Sequence, residues 1–236
     1  SERVPFTATK LAELLGEAGL PKGVFNLIHG GKACVEGLIQ HPLVKAVSFV
    51  GSTPVARQIH QTATRHGKRV QANGGAKNYV VVMPDADPGK TVDGLINAAF
   101  GCAGERCMAG STAVTVGNRG RHILADLAKS AKSLKVGRTD VRAETQPAMG
   151  PVITAEHRGR LEDLIASGEK DGARVIVYGR GIRIADAPNG FYVGATVVED
   201  VQEGMRLARE EVFGPVLNVM HLDNLDAAIA LANRSA

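Results

Sequence analysis

NYVVVMPDADPGKTVDGLINAAFGCAGERCMAGSTAVTVG, from Asn78 to Gly117, reads as one strand, helix, strand unit with a loop before its last member. NYVVVM (78–83) is an unbroken apolar run, the pattern of a strand covered on both faces. DPGKTVDGLINAAFG (Asp87 to Gly101) is a helix, and STAVTVG (Ser111 to Gly117) a further strand. Apolar strands alternating with helices feed a parallel sheet, so the fold class is α/β.

The same alternation continues on both sides. Thr7 or Thr9 caps a helix whose Leu11, Leu14 and Leu15 form one face, and Gly19 with Pro21 ends it. VFNLIHG (Val24 to Gly30) is expected to be a buried strand, VKAVSFVG (Val44 to Gly51) the next, and Pro54 opens a helix reaching about Arg65. KRVQA (68–72) then extends toward NGGAK (73–77), where the domain changes, giving a first domain of 1–72 and a second of 73–236. Downstream, helices near 120–133 and 154–169 flank a loop rich in Gly, Pro and Thr. Strands follow at ARVIVYG (173–179) and VLNVMHL (216–222), with a last helix from Leu225. There is no internal repeat.

Composition narrows the function classes. A chain of 236 residues with 44% hydrophobic content can bury a sizeable core. Its 28 basic and 24 acidic residues are interspersed, which is a solvated surface and not a nucleic-acid footprint. Three cysteines without regular spacing, and no apolar run long enough for a signal peptide or membrane span, point to a reducing cytoplasm; a targeting segment before Ser1 stays open. No metal-ligand pattern stands out.

Chemistry concentrates at Cys107, inside GCAGERCMAG (101–110) beside Arg106. A lone cysteine among Gly, Ala and Met is usually a small buried hydrophobe, and Cys34 and Cys102 are read that way. Cys107 differs in its company. NGGAK begins thirty-four residues before it, and EEVFGPV (Glu210 to Val216) follows a little over a hundred residues after it. FVGST (49–53) adds a Gly and two hydroxyls at a strand end before a helix, a turn whose bare amides suit a phosphate. Gly30-Gly31 completes no G-x-G-x-x-G pattern and carries no cofactor argument.

These motifs, in this order and spacing, resemble the aldehyde dehydrogenase superfamily, and the resemblance runs from SERVP (1–5) to DAAIALAN (226–233). It implies part of a Rossmann-type NAD-binding sheet followed by an α/β catalytic domain. It also implies that the chain matches about the middle half of a family protein, without the Asn that helps hold the oxyanion and without the oligomerisation strand, so that the 236 residues alone lack turnover. Homo-oligomers form through those other segments.

Residue by residue, the resemblance makes Cys107 the nucleophile that attacks an aldehyde carbon, loses hydride to NAD and retains a thioester. Gly51 and Ser52 correspond to the turn holding the cofactor pyrophosphate, although Ala56 stands where many members have a second Gly. Glu2 and Glu211 correspond to carboxylates that accept hydrogen bonds from the two ribose units, and Phe213 to the ring against the nicotinamide. NAD or NADP stays undecided.

Position 73 sets the fate of the thioester. Hydrolytic members have a Glu there as the base for water, whereas Asn73 cannot take up a proton near neutral pH. A thioester spared from hydrolysis is open to the thiol of coenzyme A. KRVQANGGAKN, with SERVP, HGKRV, MPDAD and ERCMA, resembles the CoA-acylating methylmalonate semialdehyde dehydrogenase branch. The expected substrate is malonate or methylmalonate semialdehyde, converted with loss of CO2 to acetyl- or propionyl-CoA. Arg106 then suits the substrate carboxylate. Alternatively it forms a salt bridge with Glu105, which stands where the family more often has Gln and is itself a candidate base. Ala195, where Pro is usual, reads as a loop change. A hydrolytic aldehyde dehydrogenase and an inactive remnant are the alternatives.

Overall fold

The computed structural model describes residues 2–140 and 146–235, so part of the Gly, Pro and Thr-rich loop, 141–145, and Ser1 of SERVP lie outside the described residues. The chain divides into two compact units between Gly75 and Ala76, three residues past the expected change of domain.

The first unit begins with α1 (Pro5–Glu17). Thr7 and Thr9 are not its caps: Pro5, whose φ is already helical, starts the helix earlier, and the Thr9 hydroxyl donates to Pro5 O at 3.0 Å within it. The end is as expected. Gly19 takes φ 87°, and N–H groups of Gly19 and Leu20 return to Gly16 O (3.0 Å) and Leu15 O (3.1 Å), a Schellman closure. The expected strand at 24–30 is absent. A strand exists through its ladder, and no described segment offers Val24 to Gly30 a strand to pair with, so Val24, Phe25 and Ile28 remain exposed. After α2 (Lys32–Gln40) come β1 (Ala46–Val50), α3 (Thr53–Arg65) and β2 (Arg69–Asn73). β1 and β2 pair in parallel, from Ala46 opposite Arg69 to Val50 opposite Asn73, with α3 as the crossover. Ile39, Ile59 and Ala63 form a small core, to which Val47, Phe49 and Val70 add.

The second unit holds β3 (Tyr79–Val82), α4 (Pro88–Phe100), β4 (Thr112–Val116), α5 (Ile123–Ser133) and α6 (Ala155–Lys170). β5 (Arg174–Val177), β6 (Thr196–Glu199), α7 (Arg206–Arg209), β7 (Val216–Leu222) and α8 (Leu225–Asn233) complete it. The sheet order is β3-β4-β7-β6-β5; the first four strands are parallel, and β5 at the edge runs antiparallel to β6. β6 was not anticipated; Ala195 lies in the loop that leads into it, as expected, but is buried. TVVE is buried along its whole length, so it shows no alternation, and Val193, Ala195 and Val197 are buried with it. Leu127, Leu161, Leu164, Ile165, Leu207 and Leu217 fill the core, each such side chain contributing roughly 1.5–3 kcal/mol by leaving water. No described helix is long and apolar enough to cross a membrane.

Helix starts are tied locally. Asp87 accepts from Lys90 N at 2.8 Å and Thr154 from His157 N at 3.0 Å. We expect Asp87→Ala and Thr154→Ala each to cost about 1 kcal/mol in urea unfolding; unchanged midpoints for both would deny the caps any role in stability.

Candidate active site

α4 ends in a tight turn, Gly101–Gly104, in which Cys102 and Ala103 both adopt left-handed backbone, φ 53°. Gly104 follows at φ 70°, and a Cβ there would overlap the main chain of Gly214. The loop bearing Cys107 is thus pressed against the loop that follows Glu211 and Phe213. Asn78 fixes its far side: the carboxamide donates to Cys107 O at 2.7 Å and Ala109 O at 2.9 Å. Cys107 itself is exposed, as is Cys102, while Cys34 is half-buried.

The salt bridge between Arg106 and Glu105 does not form. Nη2 of Arg106 donates to Asn97 O (2.6 Å) and Ala98 O (3.2 Å), carbonyls of the last turn of α4. A cation there meets the negative end of the helix. Glu105 turns the other way, accepting from Ile153 N at 3.1 Å with His157 Nε2 3.5 Å away. Burial pushes its carboxyl above the usual range, partly offset by the Ile153 N–H and by His157. Asn78, Gly104, Arg106, Glu211 and Phe213 line one small cleft. Phe213 is itself strained, at φ 53°.

Behind this cleft, Lys77 is buried, and desolvation lowers its ammonium to about 8; Glu211 and Glu210 work against that shift and Arg160 adds to it. Lys77 closes the NGGAK motif and Asn78 follows it, but neither was singled out in the sequence, because their partners are main-chain carbonyls far along the chain. Elsewhere Glu199, Asp200 and His221 bring ligand atoms within 4.8 Å of one another. Arg174 already pairs with Glu199, and His221 bonds both Glu199 and Thr115, so these groups have protein partners in place.

In the first unit, Gly51 and Ser52 lie between β1 and α3, and the Ser52 hydroxyl makes no capping bond to the helix. Gly51 donates to Asn73 O at 3.1 Å, and Gly75 N donates to Thr53 Oγ1 at 3.0 Å, which ties the end of β2 to this turn. A Cβ on Gly51 would come within 2.5 Å of the Phe49 ring. Asn73 is exposed and belongs to this unit, whereas Cys107 belongs to the other. Glu2, Gly31, Phe49, Val55 and Ile59 share a mostly apolar cavity. Gly30 and Gly31, set aside in the sequence because they complete no G-x-G-x-x-G pattern, line this cavity just before α2.

An α/β chain with an exposed cysteine on a pinned loop, and a glycine-bearing turn at a helix start, fits one family. Residues 1–236 match the model of the aldehyde dehydrogenase family, and the chain belongs to it. It is 47% identical over 235 residues to malonate-semialdehyde dehydrogenase 1 of Oceanobacillus iheyensis, covering 100% of this chain and 48% of that protein. To the malonate-semialdehyde dehydrogenase of Pseudomonas aeruginosa it is 47% identical over 234 residues, 99% of this chain and 46% of the other. Among solved structures, the methylmalonate-semialdehyde dehydrogenase of Oceanimonas doudoroffii superposes with TM-score 0.93 at 44% identity, over 100% of this chain and 48% of that one. A putative methylmalonate-semialdehyde dehydrogenase from Sinorhizobium meliloti, complexed with NAD, gives 0.92 at 43% identity with the same coverage. The chain spans about half the length of these relatives.

Proposed function

We propose that this chain serves the NAD-dependent, CoA-acylating oxidation of malonate or methylmalonate semialdehyde. The observation that carries the catalytic part is the exposed thiol of Cys107 on a loop held by Asn78, beside a cleft shared by Glu211 and Phe213. The names of the relatives support the substrate class.

The residues suit a dinucleotide. The cavity of Phe49, Val55 and Ile59 offers apolar walls and two carboxylates, Glu2 and Glu36, which suits a flat base with a hydroxyl-bearing sugar. Gly51 and Ser52 open α3, where backbone amides favour phosphate. Glu211 and Phe213 would meet the nicotinamide end. NAD, when bound, supplies the acceptor for the hydride of the aldehyde carbon.

The Cys107 thiolate forms a bond to the aldehyde carbon, the carbonyl oxygen becomes an oxyanion, and the Cys107 backbone N–H is the proposed donor to it. Once oxidised, this adduct is a thioester. The thiolate of coenzyme A then attacks the thioester carbon, the bond to Cys107 Sγ breaks, and the cysteine leaves as thiolate. Loss of CO2 from the β-carboxylate and uptake of one proton give acetyl- or propionyl-CoA. Water competes poorly because Asn73 cannot accept its proton.

The reading is tested in a chimera in which this chain replaces the matching stretch of the Oceanobacillus iheyensis relative. With malonate semialdehyde and NAD, NADH should form in a CoA-dependent manner with acyl-CoA as product. NADH formed equally well without CoA, with free acid accumulating, would mark a hydrolytic enzyme. In the same chimera Asn73→Glu should raise CoA-independent acid release by about 10²-fold, the usual contribution of a positioned base. Equal hydrolysis before and after the change would identify another base, with Glu105 the first to test.

A further inference from the structure

Between α7 and β7 the chain runs from Glu210 to Pro215 with no strand partner, so its carbonyls need donors from elsewhere. Those of Glu210 to Phe213 find them in three side chains, one of which also reaches back into α7. Lys77 Nζ donates to Leu207 O and Glu210 O, both at 2.9 Å. From α6, Arg160 donates to Glu211 O at 2.5 Å and Val212 O at 2.9 Å, and His157 Nε2 lies 2.6 Å from Phe213 O. Five carbonyls within Leu207–Phe213 are thereby taken by side chains of two other segments. The last of them belongs to Phe213, whose left-handed backbone at φ 53° is uncommon for an aromatic residue and persists only where its surroundings enforce it. The side chains of the segment are treated differently. Glu210 pairs with Arg206 at 2.5 Å, but the Glu211 carboxylate makes no hydrogen bond among the described residues. A backbone this heavily held, carrying one carboxylate left open and one ring in the cleft, is arranged to present those two groups.

We infer that Lys77, Arg160 and His157 are positioning residues that clamp Leu207–Phe213 by its main-chain carbonyls and thereby fix Glu211 and Phe213 in place. Its functional consequence rests on the proposed role of Glu211 and Phe213 as cofactor contacts. Glu105 extends the clamp to the cysteine loop, since His157 lies between its carboxylate and Phe213 O.

Hydrogen exchange on the 236-residue chain tests the clamp without any assay of activity. In Arg160→Leu and His157→Leu, the amides of Glu210 and Val216 should exchange about tenfold faster than in the parent, while those of β4 and α8 stay unchanged and so report intact folding. His157→Gln, which keeps an N–H donor, should restore the parent rate. In the chimera, the two leucine variants should raise KM for NAD about tenfold with a smaller change in kcat, because a displaced contact weakens binding before chemistry. Unchanged exchange in both leucine variants overturns the inference, as does failure of His157→Gln to restore protection. Faster exchange with unchanged KM for NAD upholds the clamp and removes instead the cofactor role given to Glu211 and Phe213.

Discussion

Cys107→Ala is expected to lower NADH formation in the chimera by at least about 10⁴-fold, because removing a covalent nucleophile leaves only the contribution of binding and orientation. The neighbouring thiols provide the control. Cys102 is also exposed, not the packing residue expected, but sits five residues earlier in the left-handed turn, and Cys34 lies half-buried in the first unit. Cys102→Ala and Cys34→Ala should therefore retain turnover within about twofold, as expected of surface and packing positions. Mass spectrometry of the acylated protein gives a second measure: semialdehyde and NAD without CoA should leave the acyl group on the peptide containing Cys107. Acylation of the Cys102 side chain, or persistent turnover in Cys107→Ala, would move the nucleophile elsewhere.

The second large effect concerns stability. Gly104→Ala should destabilise the second unit by about 3 kcal/mol, the sum of a left-handed alanine and an overpacked contact. Its φ is 70°, and the new Cβ would overlap the Gly214 carbonyl and stand 2.9 Å from Ala99 O. These are backbone atoms, so no rotamer change relieves them. Gly94 provides the opposite sign: it lies inside α4 with nothing within 4 Å of a Cβ, and Gly94→Ala should stabilise by about 1 kcal/mol through helix propensity. Urea unfolding of both variants decides the point. A Gly104→Ala chain as stable as the parent would mean that the cysteine loop does not rest on Gly214.

Local chemistry was sufficient wherever it was strong. The unbroken runs YVVV and VLNVMHL, the helix from Pro88 and the Gly19 stop were legible because each depends on neighbours along the chain. The spacing and residue types around Cys107, Asn73 and the Gly51-Ser52 turn carry the resemblance to a family the chain does belong to. Four features needed the third dimension. Whether VFNLIHG forms a strand depends on a ladder partner, and none is present among the described residues. β6 escaped notice because full burial removes the alternation by which a strand is recognised. The neighbours of Arg106 and Glu105 were beyond reach for the same kind of reason: adjacency in sequence offered an ion pair as the alternative to substrate binding, while the turn after α4 sends one side chain to the carbonyls of Asn97 and Ala98 and the other to Ile153 and His157. The clamp of Lys77, His157 and Arg160 lies furthest from the sequence. It joins residues fifty to a hundred and thirty positions apart through main-chain carbonyls, which are common to every residue type and leave no trace in the pattern of side chains.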